Sequence, residues 1–206
     1  MLVFGLGSGR CGTTSLRLFL DLQRNVSVTH ELNFEGIRQP MPWETDFPLA
    51  IKQLAKLQQK TSAVKGDIGF YWLPYSTWLL GQFPDSRFIC LKRNKVDTVA
   101  SYMRHTEGRN HWVLHNGTHW NPDDVWDKAF PKYDIEDKQA AVSKYWDDYY
   151  TSAGALQREY PDNFRIFPVD ALNNSEGQTT ILSFLGIPTA DMIFTPSFHL
   201  NISDAR

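Results

Sequence analysis

The sequence predicts an α/β fold in three layers: a central parallel sheet of about five strands, helices on both faces, and a turn of the P-loop type after the first strand. Three observations predict it. Short apolar runs alternate with helical stretches along the chain, which implies a parallel sheet covered on both faces. The first apolar run, Leu2 to Phe4, leads directly into the glycine-rich turn GLGSGRCGTT. The 206 residues, 42% hydrophobic and 21% charged, contain no internal repeat, low-complexity tract or linker, so they are expected to form one domain, residues 1–206.

Taken in order, Leu2 to Phe4 is a short buried strand, and Thr13 to Leu22 is a helix with Leu16, Phe19 and Leu20 at helical spacing. Asn25 to Thr29 is the second strand. Phe47 to Lys60 is a helix whose inner face is Leu49, Leu54 and Leu57, and Ala63 to Lys65 is a short third strand. Tyr75 to Gln82 is helical, with Pro74 near its start and Pro84 just beyond its end. RFICL, Arg87 to Leu91, is the clearest strand and leads into a helix from Lys95 to Arg104. From His105 to Tyr133 no period is visible, and a long loop or lid is expected. A long helix from Gln139 to Glu159, ended by Pro161, precedes a strand from Phe164 to Phe167. The last helix runs from Ser175 to Phe184 and is closed by Gly186.

Charge and composition exclude several classes. A formal charge of -2 argues against binding nucleic acid through the overall charge, so an anion site must be local. The apolar stretches are too short to span a bilayer and no leader pattern is visible, which predicts a cytoplasmic protein. The two cysteines, Cys11 and Cys90, form no disulfide framework and no metal-ligand spacing. They are expected to be free thiols.

The glycine turn carries the first chemical signal. A glycine-rich connection between strand and helix turns several backbone N–H groups inward, and the helix adds its positive end, so anions bind there. Gly7 to Gly12 fit the frame G-x-x-x-x-G, but Thr13 and Thr14 stand where a nucleoside-triphosphate loop carries Lys and then Ser or Thr. The cation is instead Arg10, inside the loop. A missing lysine speaks against a triphosphate with magnesium, whereas a planar guanidinium engages two oxygens of a phosphate or sulfate without a metal. A second arginine, Arg93, ends the strand of FICLKRNKVDTVASY, and Ser101 follows eight residues later in the helix. A strand end and the second turn of the next helix can converge on one phosphate.

R-x-G-T-T after a first strand resembles the 5′-phosphosulfate loop of the sulfotransferases that use 3′-phosphoadenosine 5′-phosphosulfate (PAPS), and FICLKRNKVDTVASY resembles that family's second signature. YWDDYY, YPDNFRIFPVDAL and EGQTTILSFLGI are similar to its later helix, strand and closing helix. The resemblance implies that Gly9, Arg10, Cys11, Gly12, Thr13, Thr14 and Ser15 bind the 5′-phosphosulfate. It implies also that Arg93 and Ser101 clamp the 3′-phosphate, and that the product is 3′-phosphoadenosine 5′-phosphate (PAP). Two residues depart from the pattern: Cys11 stands where serine is usual, and Ser15 where enzymes acting on small phenols tend to carry a tryptophan that stacks on adenine.

Sulfuryl transfer to a hydroxyl or amine is by analogy with phosphoryl transfer mostly positioning and charge stabilisation, which fall to Arg10 and the loop. A base is also needed. THELNFEG follows the second strand, at the carboxyl edge where α/β ligands bind, and makes Glu31 the candidate and His30 its competitor. Glu31 resembles the base of glycan and tyrosine-protein sulfotransferases; cytosolic members use a histidine. Glu35 is a weaker second carboxylate. Lys65 and Asp67 are expected to end the third strand at the same edge, where Lys65 could reach sulfonate or acceptor.

His111, His115 and His119 are spaced four apart, but Gly117 breaks the helix such a metal site needs and the chemistry requires no metal, so none is expected. Trp112 and Trp120 are candidate stacking surfaces over an acceptor pocket built from Asn33 to Phe47 and His105 to Tyr133. The acceptor, a small molecule or glycan, cannot be read from composition. Two other functions compete: a kinase with an altered loop, and a non-catalytic module that binds PAP or PAPS.

Overall fold

A computed structural model describes residues 1–114 and 125–196. The strands are β1 (Leu2–Leu6), β2 (Val26–His30), β3 (Val64–Ile68), β4 (Arg87–Lys92) and β5 (Phe164–Pro168). They form a five-stranded sheet in the order β2-β3-β1-β4-β5, with every pair parallel. The helices are α1 (Thr13–Asp21), α2 (Phe47–Gln58), α3 (Ser76–Gln82), α4 (Lys95–His105), α5 (Val125–Lys128), α6 (Lys138–Glu159) and α7 (Ser175–Phe184).

Strand periodicity divides the apolar residues between two cores. Leu2, Phe4 and Leu6 of β1 and Phe88 and Cys90 of β4 pack on one side with α2, α3, α4 and α6. Val3, Ile89 and Leu91 face the other side and meet α1 and α7. The helices that follow the adjacent strands β1 and β4 therefore lie on opposite faces. Where two neighbouring strands send their chains apart, a crevice opens at their carboxyl ends, and the glycine loop stands at that crevice.

Most helices close their own first turns. Asp46, Asn94, Asp137 and Asn174 accept from the amides of Leu49, Asp97, Ala140 and Gly177, capping α2, α4, α6 and α7. The start of α1 is different: Gly12 is its N-cap, in a left-handed conformation, and no side chain caps it.

Two strands run two or more residues past their expected ends. β1 continues through Gly5 to Leu6, and β3 runs three residues past its expected end, to Ile68. A glycine reads as a weak point in a strand, yet Gly66 lies inside β3 against the Val3 carbonyl, where a Cβ would have no room. The extension moves Lys65 away from the crevice. It pairs with Leu2 at the start of β1, and its Nζ donates to the carbonyls of Gln58 and Lys60. Within the aperiodic region the structure adds the short α5 and an isolated bridge between Val113 and Tyr133. No described helix is long and apolar enough to cross a membrane.

Candidate active site

The loop between β1 and α1 is built from residues in left-handed conformations: Gly9 at φ +81°, Arg10 at +54° and Gly12 at +93°. Only glycine adopts such angles freely, and a non-glycine residue held there costs about 1–3 kcal/mol. Three tyrosines hold the loop from outside. Tyr149 Oη accepts from the Gly7 amide at 3.0 Å and donates to the Phe70 carbonyl at 3.0 Å. Tyr102 Oη donates to the Ser8 carbonyl at 2.5 Å, and Tyr150 Oη, which donates to Leu91 at 2.7 Å, lies 3.4 Å from the Ser8 amide. The backbone at Gly7 and Ser8 is thus committed to the scaffold. The start of α1 has no side-chain cap.

Arg10, Arg93 and Ser101 come together at this loop. Arg10 Nε donates to Ser101 Oγ at 3.1 Å, and Arg93 Nη1 donates to the Arg10 carbonyl at 3.3 Å. Arg93 also faces Asp97 at 3.9 Å, and its carbonyl accepts from the Trp146 indole. Two signatures about eighty residues apart in the chain therefore meet because β1 and β4 are neighbours in the sheet.

His30 and Glu31 stand at the end of β2. Glu31 and the following Leu32 both have positive φ, +57° and +48°, so the chain turns sharply as it leaves the sheet. The Glu31 carboxylate is mostly buried: Oε2 is 3.2 Å from Arg38 Nη1 and 3.6 Å from His30 Nδ1. Burial pushes its pKa up to about 7 against the pull of Arg38, with the charge of Asp67 adding to the rise and Arg10 opposing it. His30 moves the other way, to about 4, chiefly through burial and then through Arg38 and Arg17. It is a neutral imidazole at pH 7. Its Nε2 lies 3.2 Å from Thr13 Oγ1, which links the end of β2 to the glycine loop.

One cleft of about 490 Å³ joins these groups: Gly9, Arg10, Gly12, Thr13, Thr14, His30 and Glu31 line it. Arg38, His105, Arg109, Phe70, Trp126 and Phe130 also line it, among others. Phe70 and Phe130 stack at 4.5 Å, and Trp126 lies nearly parallel to Phe70 at 6.5 Å. Arg10, Arg38 and Arg109 line the cleft together with Glu31 and Glu107. His105 is lowered by partial burial and then by Arg10, Arg38 and Arg109. The donor set suits a small polyanion: an uncapped helix start, an arginine in the loop, threonines beside it, and glycines that let the loop pack closely on Tyr102 and Val169.

No protein-family model matches the chain, and no curated protein does. Among solved structures it is similar to a sulfotransferase from Alicyclobacillus acidocaldarius, with a TM-score of 0.56 and 17% identity, over 97% of this chain and 86% of that one. The two proteins share a fold. At 17% identity the likeness concerns the path of the backbone, and what the cleft can do rests on its own side chains.

Several expected residues sit elsewhere. Cys11 is fully buried and packs into the core with Leu16 and Leu91, its thiol raised to about 11 by burial, so what it can offer a ligand is its backbone N–H. Ser15 is also buried. Trp112, expected over an acceptor pocket, is fully buried among Tyr102, Phe130 and Tyr145 and is a core residue. Glu35 is exposed, in the tight turn between Phe34 and Ile37. His111 lines the cleft near Asp127, which pairs with Lys132 at 2.9 Å, while His115, His119 and Trp120 lie outside the described residues. The sequence reading missed Arg38, Trp126 and the three tyrosines. The doublet in YWDDYY was the available signal, because adjacent tyrosines on a helix point to different neighbours.

Proposed function

We propose that the protein is a sulfotransferase that moves a sulfuryl group from PAPS to a hydroxyl or amine of a small molecule or glycan. The observation that carries this reading is that one cleft is lined both by Arg10 and the open start of α1 and by Glu31 and His30. The similar fold of a sulfotransferase supports it.

PAPS supplies an activated sulfonate whose leaving group is a phosphate. The N–H groups of Thr13 and Thr14, their hydroxyls and Arg10 would bind that phosphate and stabilise the charge that grows on it as the sulfur–oxygen bond breaks. Arg93 would recognise the 3′-phosphate, with Ser101 sharing its hydroxyl between that group and Arg10. Glu31 takes the acceptor's proton as the new oxygen–sulfur bond forms. No metal is required by this set of groups.

Thermal-shift titration tests the cofactor. PAP is expected to stabilise the protein more than AMP, ADP or magnesium ATP, because only PAP carries the 3′-phosphate. A charge-assisted contact is worth about 1.5–3 kcal/mol, so Arg93→Ala should weaken PAP by about tenfold or more and leave AMP nearly unchanged. Equal binding of PAP and AMP by the wild type, or stronger binding of magnesium ATP, removes the reading.

The pH profile separates the two candidate bases. A base must be deprotonated to act, so with Glu31 in the role the rate should fall about tenfold per unit below its pKa of about 7 and level off above it. With His30 as base the break would lie near 4. Turnover measured from pH 4 to 9 with saturating PAPS decides between them.

A further inference from the structure

Asp67 is a buried carboxyl group to which the transfer chemistry gives no task. It lies in β3, opposite Thr29 of β2 in the parallel register, and it is fully buried. Four donors converge on it. Oδ1 accepts from the Leu32 amide at 2.8 Å and from Thr29 Oγ1 at 2.6 Å; Oδ2 accepts from Tyr71 Oη at 2.8 Å and from Trp72 Nε1 at 2.8 Å. One carboxylate thus ties together the end of β2, the turn beyond it and the 3-10 turn that follows β3. Burial pushes its pKa up, and the four donors work against that rise.

The turn is the part that needs holding. The sheet ladder reaches Glu31, whose amide donates to the Ile68 carbonyl at 2.9 Å, and then two successive non-glycine residues take left-handed angles. Such conformations persist only where the surroundings over-determine them. Leu32 is held on both sides: its side chain is buried in the core and its amide ends on Asp67. A left-handed Glu31 between the Ile68 and Asp67 anchors lines the cleft.

We propose that Asp67 is the positioning residue of this site: its carboxylate holds the left-handed turn at Glu31 and Leu32 and so sets where the Glu31 carboxylate stands. The task given to Glu31 rests on the sulfotransferase reading; the turn and its anchor do not. The chemistry also excludes an amide as substitute. An amide has one acceptor oxygen, whereas the fixed N–H groups of Leu32 and Trp72 each need a different one. Asp67 acts on Glu31 through space as well, because its negative charge works against Arg38 and Arg10, while His30 beside it is neutral.

The test is Asp67→Asn, read three ways. PAP affinity should stay within about twofold of the wild type. Turnover should drop by about 100-fold, the cost of a base displaced by roughly an ångström. The carbon-13 titration of the Glu31 carboxyl should move down from about 7, and the acid limb of the rate profile should move with it. A merely structural loss would lower affinity and rate together and leave that limb in place. Parallel loss of both, or an unchanged Glu31 titration and rate, overturns the proposal. Should the variant fail to fold, hydrogen exchange in the wild type decides. The Leu32 amide, though beyond the strand, should exchange as slowly as the amides of β2, and rapid exchange overturns the proposal. If Glu31 responds to Asp67→Asn but the wild type does not bind PAP, the anchor stands and the sulfotransferase reading fails.

Discussion

Glu31→Gln is expected to reduce sulfuryl transfer by about 10²–10⁴ while PAP binds as before. Glutamine keeps the length and the capacity to hydrogen-bond of the side chain but cannot accept the acceptor's proton. Affinity should hold because the carboxylate pairs with Arg38 and His30 and glutamine keeps its size. His30→Ala is the matched control. It removes the partner of Thr13 Oγ1 and should cost less than Glu31→Gln, since a neutral imidazole with a pKa near 4 is a poor proton acceptor at pH 7. Retained transfer in Glu31→Gln together with collapse in His30→Ala would assign the base to His30.

Gly9→Ala should abolish tight binding of PAP, by about 100-fold or more. Gly9 has φ +81°, and a Cβ there would overlap the Tyr102 hydroxyl. That hydroxyl holds the Ser8 carbonyl at 2.5 Å, so it cannot withdraw without releasing the loop. Backbone strain and lost loop geometry together amount to about 3 kcal/mol, which corresponds to roughly two decades in Kd. The overlap also makes the explanation testable. Tyr102→Phe removes the oxygen and should restore part of the affinity in the Gly9→Ala background, although alone it weakens binding slightly. No recovery in the double variant would show that the angle at Gly9, and not the contact with Tyr102, is what matters. Circular dichroism and thermal melting of each variant separate loop effects from loss of the fold.

Much of this arrangement is legible along the chain because it is local. Strand, glycine turn and helix follow one another within the first part of the sequence, and their chemistry depends on backbone angles that glycine and its spacing dictate. RFICL and the helix behind it are legible for the same reason. Glu31 could be singled out by position, as a carboxylate just beyond the second strand. Boundaries were less legible: Gly5 and Gly66 lie inside strands, and only their neighbours across the sheet show why. Lys65 illustrates the consequence. Taken as the end of a strand it belongs at the crevice; in the register observed it pairs with the first residues of β1, at the opposite edge.

The sequence by itself determined the alternation of strands and helices, the glycine-rich loop between the first strand and helix, and the residue types available there. These follow from periodicity, from the steric freedom of glycine and from side-chain chemistry, which are properties of short segments. Only the tertiary structure decided which of those residues share a cleft and which are spent on the scaffold. Trp112 and the Cys11 thiol went to the core, and Tyr149 to the Gly7 amide 142 residues away. Asp67 became an anchor for four donors instead of an acid in the cleft. The physical reason is that a buried polar group must find its partner wherever the fold brings one, and in a sheet whose order is not the order of the chain that partner is seldom close in sequence.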